Sequence, residues 1–299
     1  MKVHLLDGTY ELFRHFYAMP KQLDRDGHEV AAIVGVLSSV LGMLEGGATH
    51  IGVATDHVIE SFRNDLWPGY KTSEGIEPDL LAQFQPLEDA LRDMGVVVWA
   101  MEEFEADDAL ASAAVRAAQS TAVEQVVICT PDKDLSQCVI GDRVVQFDRR
   151  KRELRDERGV VARFGVGPGS IPDYLALVGD TADGFPGVPG WGEKAASVVL
   201  GKYPHLESIP KLATEWGVPV RGAARLAAVL EENRELALLF RRLATLRTDA
   251  PVFDDLEELR WRGPAAAFES TAQRLGVPGL WDRARRSATA NSEIPPRTF

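Results

Sequence analysis

Nine carboxylates fall into five short groups: Asp7; Asp56; Glu105, Asp107 and Asp108; Asp132 and Asp134; and Asp180 and Asp183. Like charges a few ångströms apart raise one another's pKa and resist joint ionisation, so a set this dense needs a counter-ion. Carboxylate and water oxygens suit Mg²⁺ and Mn²⁺, and Mg²⁺ keeps several waters while binding few carboxylates directly. Two such ions roughly 3.5–4 Å apart can stabilise both the attacking and the leaving oxygen of a phosphodiester. The residue types therefore point to metal-assisted phosphoryl hydrolysis.

These acids sit where secondary structure would present them. Lys2–Leu6, His50–Ala54 and Gln125–Cys129 read as short apolar strands, each running into acid at its carboxyl end: Asp7, Asp56, and the run Thr130-Pro131-Asp132-Lys133-Asp134. In open α/β sheets that edge is where ligands bind. Phe104 to Ala111, with its Ala-rich continuation to Ala118, reads as the first turns of a helix, with Glu105 and Asp108 on one face and Asp107 to the side. One acid in a first turn complements the helix dipole; three in four residues exceed what that requires.

A second motif concerns the substrate. Gly179 to Ala196 joins a helix over about Pro172 to Val178 to another over about Glu193 to Leu200. Its glycines allow tight turns and close backbone approach, and the second helix offers free N–H groups to a phosphate. This reads as a helix-hairpin-helix that holds a DNA backbone without reading bases.

Composition fits a folded, soluble, cytoplasmic enzyme, with 299 residues, 45% apolar, and room for one large domain or two modest ones. No apolar run approaches a membrane span, and the N-terminus lacks a signal-peptide pattern. Cys129 and Cys138 read as thiols in a reducing compartment, since two cysteines make neither a zinc site nor a disulfide framework. The net charge of −12 argues at first against nucleic acid, but setting aside the nine grouped acids leaves only −3.

At this point the chain resembles the bacterial 5′-nuclease family found at the N-terminus of DNA polymerase I and in stand-alone 5′-3′ exonucleases and flap endonucleases. The resemblance covers about residues 2 to 262. It rests on Leu5-Leu6-Asp7-Gly8 with Phe13-Arg14-His15-Phe16, Ser61-Phe62-Arg63 with Tyr70-Lys71, Phe104 to Asp108, Thr130 to Leu135, and Gly179 to Ala196. It implies an α/β fold: a PIN-like αβα core with a mostly parallel sheet, then a helical subdomain carrying the helix-hairpin-helix, also called helix-three-turn-helix. Residues 1–164 would form the core with an arch near 63–85, residues 165–262 the helical subdomain with the hairpin at 179–196, and 263–299 an extension. The extension would add one last helix to about Arg286 and a polar tail, 287–299, expected to be disordered.

Carried over by position, the resemblance implies that Asp7, Asp56, Glu105, Asp107, Asp108 and Asp132 surround a first metal, and Asp132, Asp134, Asp180 and Asp183 a second. No acidic position of the family pattern is missing. Two or more Mg²⁺ are implied, with Mn²⁺ substituting and K⁺ at the hairpin. Arg63 and Lys71 would lie at the gate where the 5′ strand reaches the metals, Lys71 neutralising charge on the scissile phosphate and Tyr70 stacking on a base. The backbone at Gly187, Gly190 and Gly192, with Lys194, would hold duplex; Lys202 and Arg149 to Arg152 are further cations. The expected activity is two-metal hydrolysis of DNA at 5′ ends, flaps or nicks, by a monomer linked in function to a DNA polymerase and ligase and without membrane contact.

The departures are equally specific. Glu74 stands where relatives often carry a base, and the helix expected over about Pro78 to Met94 bears Asp79, Glu88, Asp89 and Asp93 against Arg92, which makes a weakly cationic arch. Gly184 replaces an Asn common after the second acid, and Trp191, read as a packing plug, replaces an aliphatic residue. A non-catalytic binder of branched DNA is the competing reading, motivated by that arch. A small-molecule phosphatase would explain the acids but not the hairpin.

Overall fold

The computed structural model describes residues 1–292, and its chain divides into two compact units that each draw on separated stretches of sequence. Unit 1 comprises residues 1–58, 73–129 and 248 onward; unit 2 comprises residues 59–72 and 130–247.

In unit 1, β1 (Lys2–Asp7), β2 (His50–Asp56), β3 (Val97–Met101) and β4 (Gln125–Cys129) lie in the order β3-β2-β1-β4, all parallel. Every residue of β2 is buried, as its near-continuous apolar run requires of a strand covered on both faces. The register sets Asp7 beside Ala54 and Asp56 beside Met101, so two acids leave adjacent strands at the same edge. Helices α1 (Gly8–Ala18), α2 (Ala31–Glu45), α5 (Phe84–Asp93) and α6 (Ala106–Gln119) pack around the sheet. The alanines of α6 let it approach closely: Ala109, Ala113, Ala114 and Ala117 are fully buried. The segment from 248 onward closes the unit: Trp99 Nε1 donates to the Val252 carbonyl at 2.8 Å, Trp261 N–H to Thr49 at 2.8 Å, and Trp261 Nε1 to Met94 at 2.8 Å.

The single helix expected over 78–94 is two, α4 (Pro78–Leu81) and α5. Pro86 is the cause, since its ring would strike the carbonyl four residues back, at Ala82, where the helix breaks. After Trp261 there are likewise two helices, α12 (Ala267–Arg274) and α13 (Gly279–Ser292), parted by Gly276 at φ +73° and Pro278. Residues 287–292 of the expected tail are thus helical, and 293–299 lie outside the described residues.

Unit 2 holds an antiparallel pair, β5 (Val144–Asp148) and β6 (Glu153–Arg155), with helices α3 (Phe62–Leu66), α7 (Glu157–Phe164), α8 (Ile171–Val178), α9 (Glu193–Leu200), α10 (Ala223–Glu232) and α11 (Arg234–Ala244). Its core centres on Phe240, which stacks on Phe185 at 5.5 Å and meets Trp67 edge-on at 5.2 Å. Trp191 is the plug expected: 6% exposed, tilted against Trp216, with its indole N–H on the Leu226 carbonyl at 3.2 Å. Among the described residues no helix is long and apolar enough to cross a membrane.

Candidate metal centres

In unit 1 each acid is held by the element it begins or ends. Asp7 caps α1, accepting the Tyr10 N–H at 2.8 Å. Gly8 makes this possible, because a Cβ there would lie 2.8 Å from the Ala54 carbonyl of β2. Asp56 donates its N–H to Thr9 Oγ1 at 2.8 Å and accepts the Ala106 N–H at 2.8 Å, which ties the end of β2 to the start of α6. Glu105 and Asp108 form a reciprocal capping box, with Asp108 Oδ2 taking the Glu105 N–H at 3.0 Å. Asp7, Asp56, Glu105 and Asp108 are buried; Asp107 is half-buried. Capping thus accounts for where these acids sit, and among the described residues the groups of three or more ligand atoms within 4.8 Å of one another do not include them.

Beside Asp56, Glu88 is only 1% exposed and accepts from Thr55 Oγ1 and His57 Nδ1, both at 2.8 Å. Its carboxylate thereby brackets Asp56 from both sides in sequence.

In unit 2 two loops converge. After Thr130, Asp132 Oδ1 accepts the Asp134 N–H at 2.9 Å. Gln146 braces the loop: its amide N–H donates to the Asp132 carbonyl, and its oxygen accepts Ser136 Oγ at 2.9 Å and Arg155 Nη1 at 2.7 Å. In the hairpin, Asp180 and Phe185 exchange backbone bonds at 2.8 and 3.0 Å. Carboxylate oxygens of Asp134, Asp180 and Asp183 consequently lie within 4.8 Å of one another. Asp132 stays exposed at the rim.

Asp134 is 3% exposed, and its Oδ1 meets no partner among the described residues. Burial, then repulsion from Asp132, Asp183 and Asp180, holds its carboxyl well above the usual range. Two ammonium groups answer this charge: Lys133 Nζ lies 2.5 Å from Asp180 Oδ2, and Lys71 Nζ 3.3 Å from Asp183 Oδ1. Burial pulls the Lys133 pKa down, but the bond to Asp180 and the surrounding acids outweigh it and the net shift is upward. Oxygen-only donors around a buried, unpartnered carboxylate oxygen suit a hard divalent cation.

The loop carrying Lys71 clasps the hairpin. Trp67 Nε1 donates to the Gly184 carbonyl at 3.1 Å, and the Lys71 N–H to the Asp183 carbonyl at 3.1 Å. Gly184 has φ +81°, and a Cβ there would fall 2.0 Å from the Gly69 carbonyl oxygen, which accounts for glycine in place of the expected Asn.

Three of the expected DNA contacts are corrected. Arg63 is 1% exposed, its guanidinium donating to the carbonyls of Leu243 at 2.8 Å and Thr245 at 3.2 Å; the end of α11 takes the donors that were expected to face phosphate. Tyr70 is 3% exposed within the unit 2 core, so its ring offers no open face for a base. Gly187 is buried, with a virtual Cβ 2.4 Å from Gly179 N, and serves the turn itself. Gly190, Gly192 and Lys194 are exposed, and no side chain caps the first turn of α9.

Sequence reasoning missed Glu88, read as an arch acid, and assigned no role to Lys133, whose place between Asp132 and Asp134 was the available signal. It also missed Asp24, Asp26 and His28, whose ligand atoms lie within 4.8 Å of one another in an exposed loop. The loop is closed by its own hydrogen bonds from Asp26, His28 and the His28 ring to Asp24.

An α/β unit with acids at one strand edge and a helical unit with a carboxylate triplet define a metal-binding class, and solved structures share this fold. T5 5′-exonuclease with bound zinc matches with TM-score 0.65 and 17% identity over 98% of this chain and 100% of that one. Flap endonuclease-1 from Methanococcus jannaschii matches with TM-score 0.60 and 14% identity over 97% and 93%. Residues 2–165 match the family model of the 5′-3′ exonuclease N-terminal resolvase-like domain, and residues 166–267 that of the 5′-3′ exonuclease C-terminal SAM fold. The chain belongs to the 5′-3′ exonuclease family. It is 37% identical to DNA polymerase I of Pseudomonas aeruginosa over 265 residues, 85% of this chain and 28% of that protein's length. To the 5′-3′ exonuclease of Buchnera aphidicola it is 29% identical over 261 residues, 86% of this chain and 90% of that one.

Proposed function

We propose that this chain is a structure-dependent 5′ nuclease that hydrolyses DNA phosphodiesters at 5′ ends, flaps or nicks. The observation that carries the proposal is the triplet Asp134, Asp180 and Asp183 around an unpartnered buried oxygen, in a chain of this family. Mg²⁺ is the proposed resident ion, with Mn²⁺ substituting. Asp132, Asp134, Asp180 and Asp183 would hold one ion, and Asp7, Asp56, Glu105, Asp107 and Asp108 another. Bound there, two such ions would supply Lewis-acid stabilisation of the attacking and leaving oxygens.

The remaining work falls to this chain's own groups. Capping bonds hold Asp7, Asp56, Glu105 and Asp108 in fixed rotamers, which limits reorganisation when charge changes nearby. Lys71 is available to place positive charge beside the scissile phosphate once it leaves Asp183. The exposed start of α9, with Gly190, Gly192 and Lys194, would bind duplex phosphate through backbone N–H groups, with K⁺ bridging. Arg63 and Tyr70 support the loop that carries Lys71 rather than touching DNA. Functionally, residues 1–164, with the arch at 63–85 admitting the 5′ strand, would cut together with Asp180 and Asp183, and the rest of 165–262 would hold duplex. Similarity to DNA polymerase I relatives supports action alongside a polymerase; a cytoplasmic monomer that also works with a ligase completes the proposal.

The test is cleavage of a 5′-labelled flap duplex and a nicked duplex in Mg²⁺ or Mn²⁺, beside Asp134→Asn, with binding measured in Ca²⁺. Metal-dependent products that fall at least ~100-fold in the variant support the nuclease, and their length gives the endo or exo preference. Tight binding without products in either metal refutes it and leaves a binder of branched DNA.

A further inference from the structure

We propose that Lys133 is the resident counter-ion of the Asp134–Asp180–Asp183 cluster, and that a divalent cation enters there by displacing Lys133 from Asp180. This rests on the reading of the cluster as a metal centre. Asp180 is 4% exposed and both its oxygens are engaged: Oδ1 accepts the Ala182 N–H at 3.1 Å, and Oδ2 holds Lys133 Nζ at 2.5 Å. A cation that bonds Asp134 Oδ1 and Asp180 Oδ2 together would lie against the Lys133 ammonium, and repulsion between the two like charges drives the lysine off. Lys133 is equipped for the exchange, since its side chain is 33% exposed and its stem is flexible, so the ammonium can withdraw into water. The same lysine explains how three buried or half-buried carboxylates coexist before a metal arrives, because without a nearby cation their joint ionisation is opposed. Lys71, 3.3 Å from Asp183 Oδ1, adds a second positive charge to the triplet. The centre exchanges one charge for two, and its affinity is set by a residue that is not a ligand.

The test is Mn²⁺ binding by the full chain without DNA, counted by electron paramagnetic resonance and titration calorimetry at fixed ionic strength. Asp134→Asn should lose one bound ion. Lys133→Met should tighten that same ion about tenfold, which corresponds to about 1.4 kcal/mol, whereas Lys133→Arg, keeping the charge, should not tighten it. In EDTA, Lys133→Met should melt below wild type and recover more on Mn²⁺ addition. If Asp134→Asn loses an ion but Lys133→Met binds it equally or more weakly, the exchange is refuted and the metal centre stands. If Asp134→Asn loses no ion, the centre is refuted, and the exchange with it.

Discussion

Replacing Gly184 tests the clasp between the Lys71 loop and the hairpin directly. An alanine Cβ would lie 2.0 Å from the Gly69 carbonyl oxygen, well inside van der Waals contact, and the backbone sits at φ +81°. Positive φ costs an L-residue about 1–2 kcal/mol, and forcing a methyl into a filled site costs about 1–3 kcal/mol. Relief by moving the loop would break the bonds from Trp67 Nε1 to Gly184 and from the Lys71 N–H to Asp183, each worth about 1 kcal/mol. A loss near 3 kcal/mol lowers the melting temperature of a unit this size by roughly 6–12 °C. Gly184→Asn relieves part of the backbone strain but none of the clash, so it should recover less than half the loss. The assay is calorimetric melting in EDTA, followed by Mn²⁺ titration, in which Asp183 should bind more weakly in both variants. If either variant melts within a degree of wild type, the close approach of Gly69 to Gly184 is not what demands glycine.

Four further substitutions probe single interactions. Arg63→Lys leaves the Leu243 and Thr245 carbonyls short of donors around a buried ammonium; stability should fall by ~3 kcal/mol while the salt dependence of DNA binding is unchanged, and a reduced salt slope would return Arg63 to the DNA interface. The Arg241 guanidinium holds Glu207 down to about 2, below its ordinary 4.5, so its stabilising contribution is present above pH 4.5 and lost as pH falls through about 2. Glu207→Gln should accordingly melt below wild type at pH 7 and converge with it near pH 2, and parallel pH profiles would contradict the pairing. Glu88→Gln keeps the Thr55 bond but removes the charge facing His57, so Mn²⁺ affinity at the unit 1 acids should fall several-fold, with Thr55→Val, which breaks only the hydroxyl bond, as the comparison.

What could be read in advance was what depends on local order. Strand-end acids were legible because apolar runs ending in Asp mark both the strand and its edge, and α9 begins and ends at Glu193 and Leu200 as its spacing indicates. The capping box of Glu105 and Asp108 follows from a three-residue interval. What escaped depends on partners distant in sequence. Glu88 reads as a solvated helix acid until Thr55 and His57, over thirty positions earlier, are found on it. Arg63 and Tyr70 are assigned to substrate by the family resemblance, which carries no information on burial; the carbonyls at the end of α11 engage the one and the unit 2 core buries the other. The pairing of Lys133 with Asp180 spans two loops that no periodicity links. Pro86 is the exception, a breaker visible in the sequence that splits the expected helix four residues upstream.

The interleaving of the two units also bears on how the molecule is made. Unit 2 possesses all of its chain once residue 247 has left the ribosome, whereas unit 1, whose strands are made first, must wait for 248 onward. Until then Trp99 lacks Val252, Thr49 lacks Trp261, and the floor beneath Met94 is empty. The earliest-synthesised sheet is therefore the last to be sealed, and a nascent chain halted at residue 247 should resist protease in unit 2 while unit 1 is digested. Vulnerability during biogenesis is concentrated in the half of the protein that carries Asp7 and Asp56.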